Sequence, residues 1–197
     1  MTAEPANILK KANLGAFFRP GQLRDIGLSY DQLQQLVISG EVEKVGRGLY
    51  RLSSMPPTEH YSLAAATARV PNSIVCLLSA LKVHGLGTQV PRHVWLAIPH
   101  KAHEPRLDAV KLRIVWFTEP SWTVGVEDTE FEGVPARITN PTRTIVDCFR
   151  FTRLVGRDVA LEALRSGFSQ RKTTTDQLMK ILDVLPSKRL RAALEVM

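Results

Sequence analysis

A chain of 197 residues with 44% hydrophobic content is long enough for one large or two modest packed domains and too apolar to be disordered. No apolar run approaches the roughly 20 residues of a membrane span. The opening Met1-Thr2-Ala3-Glu4-Pro5-Ala6-Asn7 also lacks the features of a secretory signal, so a cytosolic protein with no membrane partner is expected. The formal charge of +7 is uneven: Lys and Arg outnumber Asp and Glu by seven to five over residues 1–52, stand nine to nine over 53–149, and ten to five over 150–197. Such an excess suits a polyanionic partner, because phosphate neutralisation supplies much of nucleic-acid affinity. A merely solvated basic surface is the alternative.

Arg19-Pro20-Gly21-Gln22-Leu23-Arg24-Asp25-Ile26 places Pro where a first helical turn tolerates it, and Gly27 then breaks the chain into a turn. Ser29-Tyr30-Asp31-Gln32 is a capping box, with Leu28 and Leu33 placed as a hydrophobic staple, and Gly40 ends this second helix. The spacing predicts a helix-turn-helix. Val42, Val45, Leu49 and Leu52 mark two short strands around Gly46-Arg47-Gly48, whose glycines can take the positive φ of a hairpin with arginine at its tip. Residues 1–54 therefore read as a winged helix-turn-helix DNA-binding domain.

A linker is predicted at Ser53-Ser54-Met55-Pro56-Pro57-Thr58, and residues 58–197 form a second domain. Glu59 to Val70 is helical in pattern, and Ile74 to His84 is an apolar helix ending at Gly85. The β-branched and aromatic runs His93 to Ile98 and Lys111 to Phe117 are strands, and Val126 to Phe131 with Val134 to Ile138 flank Glu132-Gly133 as a hairpin. Asn140 caps a helix with Pro141 at its first position, along which Arg143 and Asp147 can pair. Further helices are predicted at about Arg157 to Gly167, at Thr174 to Val184 with a Thr174 and Gln177 capping box, and from Ser187 onward. The fold class is α/β (α+β): a winged helix, then a mixed domain with a small antiparallel sheet and a helical C-terminus.

If Leu33, Leu36 and Val37 face the core, then Asp31, Gln34, Gln35 and Ile38 face outward, flanked by Ser29, Tyr30, Gln32 and Ser39. Gln can read adenine bidentately, whereas Arg, the commonest reader of guanine, is missing from this helix. Arg19, Gln22 and Arg24, with Lys44 and Arg51 on the wing strands, are placed for phosphates, and Arg47 for a minor groove. Arg153, Arg157, Lys188, Arg189 and Arg191 form a secondary basic surface for phosphates or a protein partner. A winged helix can also serve protein contacts.

No catalytic or metal site is expected, and no cofactor. His84, His93, His100 and His103 lack ligand spacing, and Cys76 and Cys148 sit in apolar stretches as buried reduced thiols. Thr144 with Asp147 is more simply a local hydrogen-bonded arrangement than a phosphoryl site. Phosphate-binding, zinc-protease and nucleophile-elbow motifs are absent.

The run Phe18-Arg19-Pro20-Gly21-Gln22-Leu23, Gly27-Leu28-Ser29, Leu33, Leu36-Val37, Gly40 and Val45-Gly46-Arg47-Gly48-Leu49-Tyr50 resembles the N-terminal winged helix of the AbiEi antitoxins of abortive-infection systems. Leu78-Ser79-Ala80-Leu81, His84-Gly85-Leu86, His93 to Pro99 and Asn140 to Asp147 are similar to that family's second domain. The resemblance implies a bacterial autorepressor that binds inverted repeats in its own promoter as double-stranded DNA. It further implies a second domain that counteracts a co-encoded nucleotidyltransferase-like toxin without a stable complex, a type IV arrangement in phage defence. A related group joins this front end to a restriction-like nuclease, whose Asp and Glu-x-Lys core has no counterpart in the basic helical stretch up to Met197. A non-enzymatic regulator is therefore expected, with a protein-interaction module or a nucleic-acid-processing enzyme as the alternatives.

Overall fold

The computed structural model describes residues 5–12 and 14–196, so the first four residues read for a secretory signal, and Met197 at the end of the basic tail, lie outside it. In chain order the elements are α1 (Pro5–Lys11), β1 (Phe17–Phe18), α2 (Pro20–Asp25), α3 (Tyr30–Ile38), β2 (Val42–Gly46), β3 (Leu49–Leu52) and α4 (Tyr61–Arg69). There follow β4 (Ile74–Val75), α5 (Leu77–His84), β5 (Val94–Pro99), β6 (Leu112–Phe117), β7 (Val126–Phe131) and β8 (Val134–Thr139). The remainder is helical: α6 (Pro141–Arg150), α7 (Thr152–Val155), α8 (Arg157–Ser169), α9 (Thr175–Val184) and α10 (Lys188–Leu194).

The chain divides into two compact units. Unit 1 comprises Met1–Asn72, Pro105–Leu112 and Thr129–Ala136; unit 2 comprises Ser73–Glu104, Arg113–Asp128 and Arg137–Met197. Unit 1 thus includes α4, beyond the proline-rich segment at which the sequence suggests a linker. That segment is tethered rather than loose: the Arg51 guanidinium donates to the Met55 carbonyl, and the Thr58 amide and hydroxyl both donate to Glu132 Oε1 at 2.7 Å. Gly15, at φ +76°, backs onto Gly133, where an added Cβ would sit 2.5 Å from the Gly133 carbonyl carbon. Only glycine fits such an approach.

The wing sheet has three strands in the order β1-β3-β2, all antiparallel, with Phe17 opposite Arg51 and Lys44 opposite Tyr50. A two-residue strand leaves no periodic trace, which is why β1 is invisible in the sequence. Of the two wing glycines only Gly48 takes positive φ, at +68°.

The second sheet has five strands in the order β6-β5-β4-β8-β7. It is mixed rather than purely antiparallel, since β4 pairs antiparallel with β5 but parallel with β8. Ile74 and Val75 belong to this central strand, so the apolar run expected to be one helix from Ile74 splits at Cys76, and α5 begins at Leu77. Fully buried strands and helices are both simply apolar, so periodicity cannot separate them. Glu132 and Gly133, at φ +49° and +75°, close the β7–β8 hairpin as the two-residue turn requires.

Helix α6 is the hub of unit 2. Thr142 to Phe149 are all buried, and α5, α7, α8, α9 and α10 pack around them. Polar side chains so deeply placed must be hydrogen-bonded. Arg143 Nε meets Asp147 Oδ2 at 2.8 Å with both side chains wholly inaccessible, and Arg150 Nη1 meets the other carboxylate oxygen at 2.8 Å. The Arg143 guanidinium also donates to the carbonyls of Val124 and Ser121, and lies over the Phe117 ring at 5.1 Å. Thr144 bonds the Thr139 and Asn140 carbonyls, and Thr142 bonds Thr173. Burial pushes the Asp147 carboxyl up and the two arginines pull it back.

Two outcomes are expected. Removing one partner of a buried ion pair strands the other charge, so Arg143→Ala should cost about 3–5 kcal/mol in urea unfolding of the full chain. His84 Nε2 lies 2.7 Å from the Thr139 carbonyl, and burial lowers its ionisation below the ordinary 6.5. A lowered folded-state value means stability present above about pH 6.5 and lost as pH falls below it. The urea midpoint should therefore drop less on acidification in His84→Gln than in the parent protein.

Candidate nucleic-acid interface

The winged helix of unit 1 is held by Leu23, Leu28, Leu33, Leu36, Val42, Tyr50 and Leu52, with Val37 partly buried against them. Packing these residues fixes which face of α3 turns outward. Its start is doubly specified: the Gln32 amide donates to Ser29 Oγ at 3.2 Å, and the Ser29 amide donates to Gln32 Oε1 at 2.8 Å. Gln22 plays the same part on α2, accepting from the Arg19 amide at 2.8 Å. The side-chain oxygens of Ser29, Gln32 and Gln22 are therefore committed to capping.

Asp31, Gln35 and Ile38 are exposed on the outward face of α3, Ile38 to 85%, and Tyr30 beside them to 57%. Gln34, expected alongside Gln35, is half-buried and interacts with the Tyr50 hydroxyl on β3. Burial, followed by the Tyr30 hydrogen bond, raises the Tyr50 ionisation, and Gln34 lowers it. These three side chains tie α3 to the wing, leaving Gln35 as the outward glutamine. Arg24, Lys44 and Arg47 are exposed and Arg19 is half-buried. Arg47 sits in the two-residue turn between β2 and β3.

Arg51 does not belong with them. It is 6% exposed, and its guanidinium lies 5.9 Å from the Phe17 ring centroid and 5.6 Å from that of Tyr61, with its terminal nitrogen bonded to the Met55 carbonyl. Strand alternation turns this arginine inward under α4, where it cannot reach a phosphate.

In unit 2, Arg153, Arg157, Lys188 and Arg189 are exposed, whereas Arg191 pairs with Asp183 at 3.1 Å. Gly156, at φ +93°, ends α7 before α8, so Arg153 and Arg157 are not neighbours along one helix. Cys76 and Cys148 are free and buried, and burial pushes both thiols up. Among the described residues no group of three or more His, Cys, Asp or Glu is arranged to hold a metal, and no helix is long and apolar enough to cross a membrane.

Residues 8–53 match the family model described as "Transcriptional regulator, AbiEi antitoxin". This segment is similar to the AbiEi regulators over the winged helix. The match covers α3, the wing and the capping residues just described, so the AbiEi segment and the candidate interface coincide. The chain is similar in fold to the crystal structure of the RV2827C protein from Mycobacterium tuberculosis, with a TM-score of 0.53 at 15% identity, over 89% of this chain and 69% of that one. No curated protein matches the chain.

The winged helix separates its two kinds of arginine cleanly. Arg51→Ala should lower the thermal midpoint of the full chain by the equivalent of roughly 1–3 kcal/mol, through lost cation–π packing and an unmet Met55 carbonyl. Arg47→Ala should leave that midpoint unchanged.

Proposed function

We propose that the protein is a bacterial transcriptional autorepressor and antitoxin. Residues 1–54 bind inverted repeats in its own promoter, and residues 58–197 counteract a co-encoded nucleotidyltransferase-like toxin without forming a stable complex, in the manner of a type IV system in the cytoplasm during phage defence. One observation carries the DNA-binding reading: the outward face of α3 presents Asp31, Gln35 and Ile38 next to Tyr30, in the same winged helix as an exposed wing-tip Arg47, within the segment that matches the AbiEi regulators. Arg19, Arg24 and Lys44 supply phosphate contacts, Arg47 enters the minor groove, Gln35 reads adenine, and Ile38 meets a thymine methyl. Without an arginine on α3 the recognised positions include A·T pairs.

The exposed Ile38 and Tyr30 also favour a second reading, in which this face docks another protein. A mobility-shift assay on the promoter fragment separates the two. Binding should weaken steeply with salt, as phosphate contacts dictate. Gln35→Ala should cost roughly 1–3 kcal/mol on the preferred site and little on random duplex, with Gln34→Ala costing less, whereas Arg47→Ala should weaken binding to both. Equal losses for Gln35→Ala on both duplexes remove it as a base reader, and no shift at low salt rejects DNA binding altogether. Because unit 1 draws on three stretches of chain, the division of labour is tested with substitutions in the full protein. The Gln35→Ala/Arg47→Ala double variant should lose repression and still protect cells from the toxin; loss of protection would place antitoxin action in the winged helix.

A further inference from the structure

Unit 2 carries a groove lined by Arg157, Leu161 and Arg165 of α8 on one side and by Arg189, Ala192 and Ala193 of α10 on the other. Each set recurs at helical spacing, four residues apart on α8 and three to four on α10, so each forms a straight stripe along one face of its helix. Val196, beyond α10, extends the second stripe and is 87% exposed. Ala192 and Ala193 carry nothing beyond Cβ, which lets another backbone approach α10 closely. None of the three arginines has an ion-pair or hydrogen-bond partner among the described residues, in contrast to Arg191, which is paired with Asp183, and to Arg143 and Arg150, which are spent on Asp147.

We propose that this groove binds an acidic amphipathic helix of a protein partner, with the partner's apolar stripe on Leu161, Ala192, Ala193 and Val196 and its carboxylates on Arg157, Arg165 and Arg189. The dimensions match such an occupant. Arg157 and Arg165 are eight residues apart, which is about 12 Å along α8 and spans a little over two turns of a helix lying beside it. One phosphate group cannot bridge that distance. Single-stranded nucleic acid fits less well, because such sites stack bases on exposed aromatic faces and the aromatic residue in this lining, Phe149, is 3% exposed. Apolar anchors spaced over two turns, flanked by charges complementary to the groove, are the usual terms of helix-in-groove recognition.

This inference goes beyond the promoter and antitoxin readings and needs neither DNA nor toxin for its test. The probe is a fluorescein-labelled peptide of about four helical turns, with Leu at alternating three and four spacing and Glu at the flanking positions. Its anisotropy is titrated with the full-length protein. Saturable binding is expected that weakens about tenfold or more when Lys replaces the Glu residues, and equally in the Arg165→Glu/Arg189→Glu variant. Leu161→Gln should weaken it through the apolar stripe, and backbone amide shifts on binding should centre on Leu161, Ala192 and Ala193. Thermal midpoints equal to the parent's show that the variants are folded. Absence of saturable binding, undiminished binding by the charge-reversed variant, or full displacement by oligothymidylate would each overturn the proposal. Promoter binding and cell protection are read out separately, so their loss or survival in other variants leaves this result intact.

Discussion

Unit 2 depends on the ionic pair between Arg143 and Asp147 inside α6. A helix enclosed by five others and by a sheet would ordinarily be apolar all round. Here two charges are taken out of water together, and each is surrounded: Asp147 by two guanidinium groups, Arg143 by a carboxylate, two backbone carbonyls and a ring face. Burying such a pair is costly, and it is tolerable only with every hydrogen-bonding position met. The loop of residues 121–124, which has its own turn bonds from the Thr123 and Val124 amides to the Pro120 carbonyl, is thereby also anchored by a side chain of the hub helix.

Unit 1 solves a different problem, holding a small module in one shape while leaving a face free. Capping fixes the starts of α2 and α3, and the Tyr30, Tyr50 and Gln34 interactions fix α3 to the wing. Arg51 joins the wing to α4. Among the described residues, the side chains of Asp31, Gln35, Ile38, Arg24, Lys44 and Arg47 are exposed and have no hydrogen-bond or ion-pair partner. In unit 2, three of the exposed basic residues, Arg157, Arg165 and Arg189, border the groove between α8 and α10.

Local signals were legible in the sequence wherever one residue has one physical job. The Ser29 and Thr174 capping boxes, the Asn140-Pro141 helix start, the Gly85 helix end and the Glu132-Gly133 turn all stand where their chemistry places them. Features that depend on partners far away in the chain were not. Strands β1 and β4 have two residues each and exist only because longer strands pair with them. Parallel pairing of β4 with β8 leaves no local mark. Arg51 reads as a phosphate contact until α4 is seen above it, and Gln34 is indistinguishable from Gln35 until Tyr50 is placed. Arg165 and Leu161 went unnoticed, although their spacing from Arg157 is the signal that would have found them.

The close packing at Gly125 and the ion pair of α6 constrain sequence variation in different ways. A Cβ at 125 would lie 2.6 Å from Arg143 Cβ, in a backbone conformation of φ +64°. Every residue except glycine carries that atom at 143, so no ordinary substitution there makes room for a side chain at 125. Positions 143 and 147, by contrast, are tied to each other by the buried charge pair. Related chains should keep glycine at 125 and either keep the arginine and carboxylate or replace both together with apolar residues of matching volume, because a lineage passing through a single change at 143 or 147 would cross a stability valley.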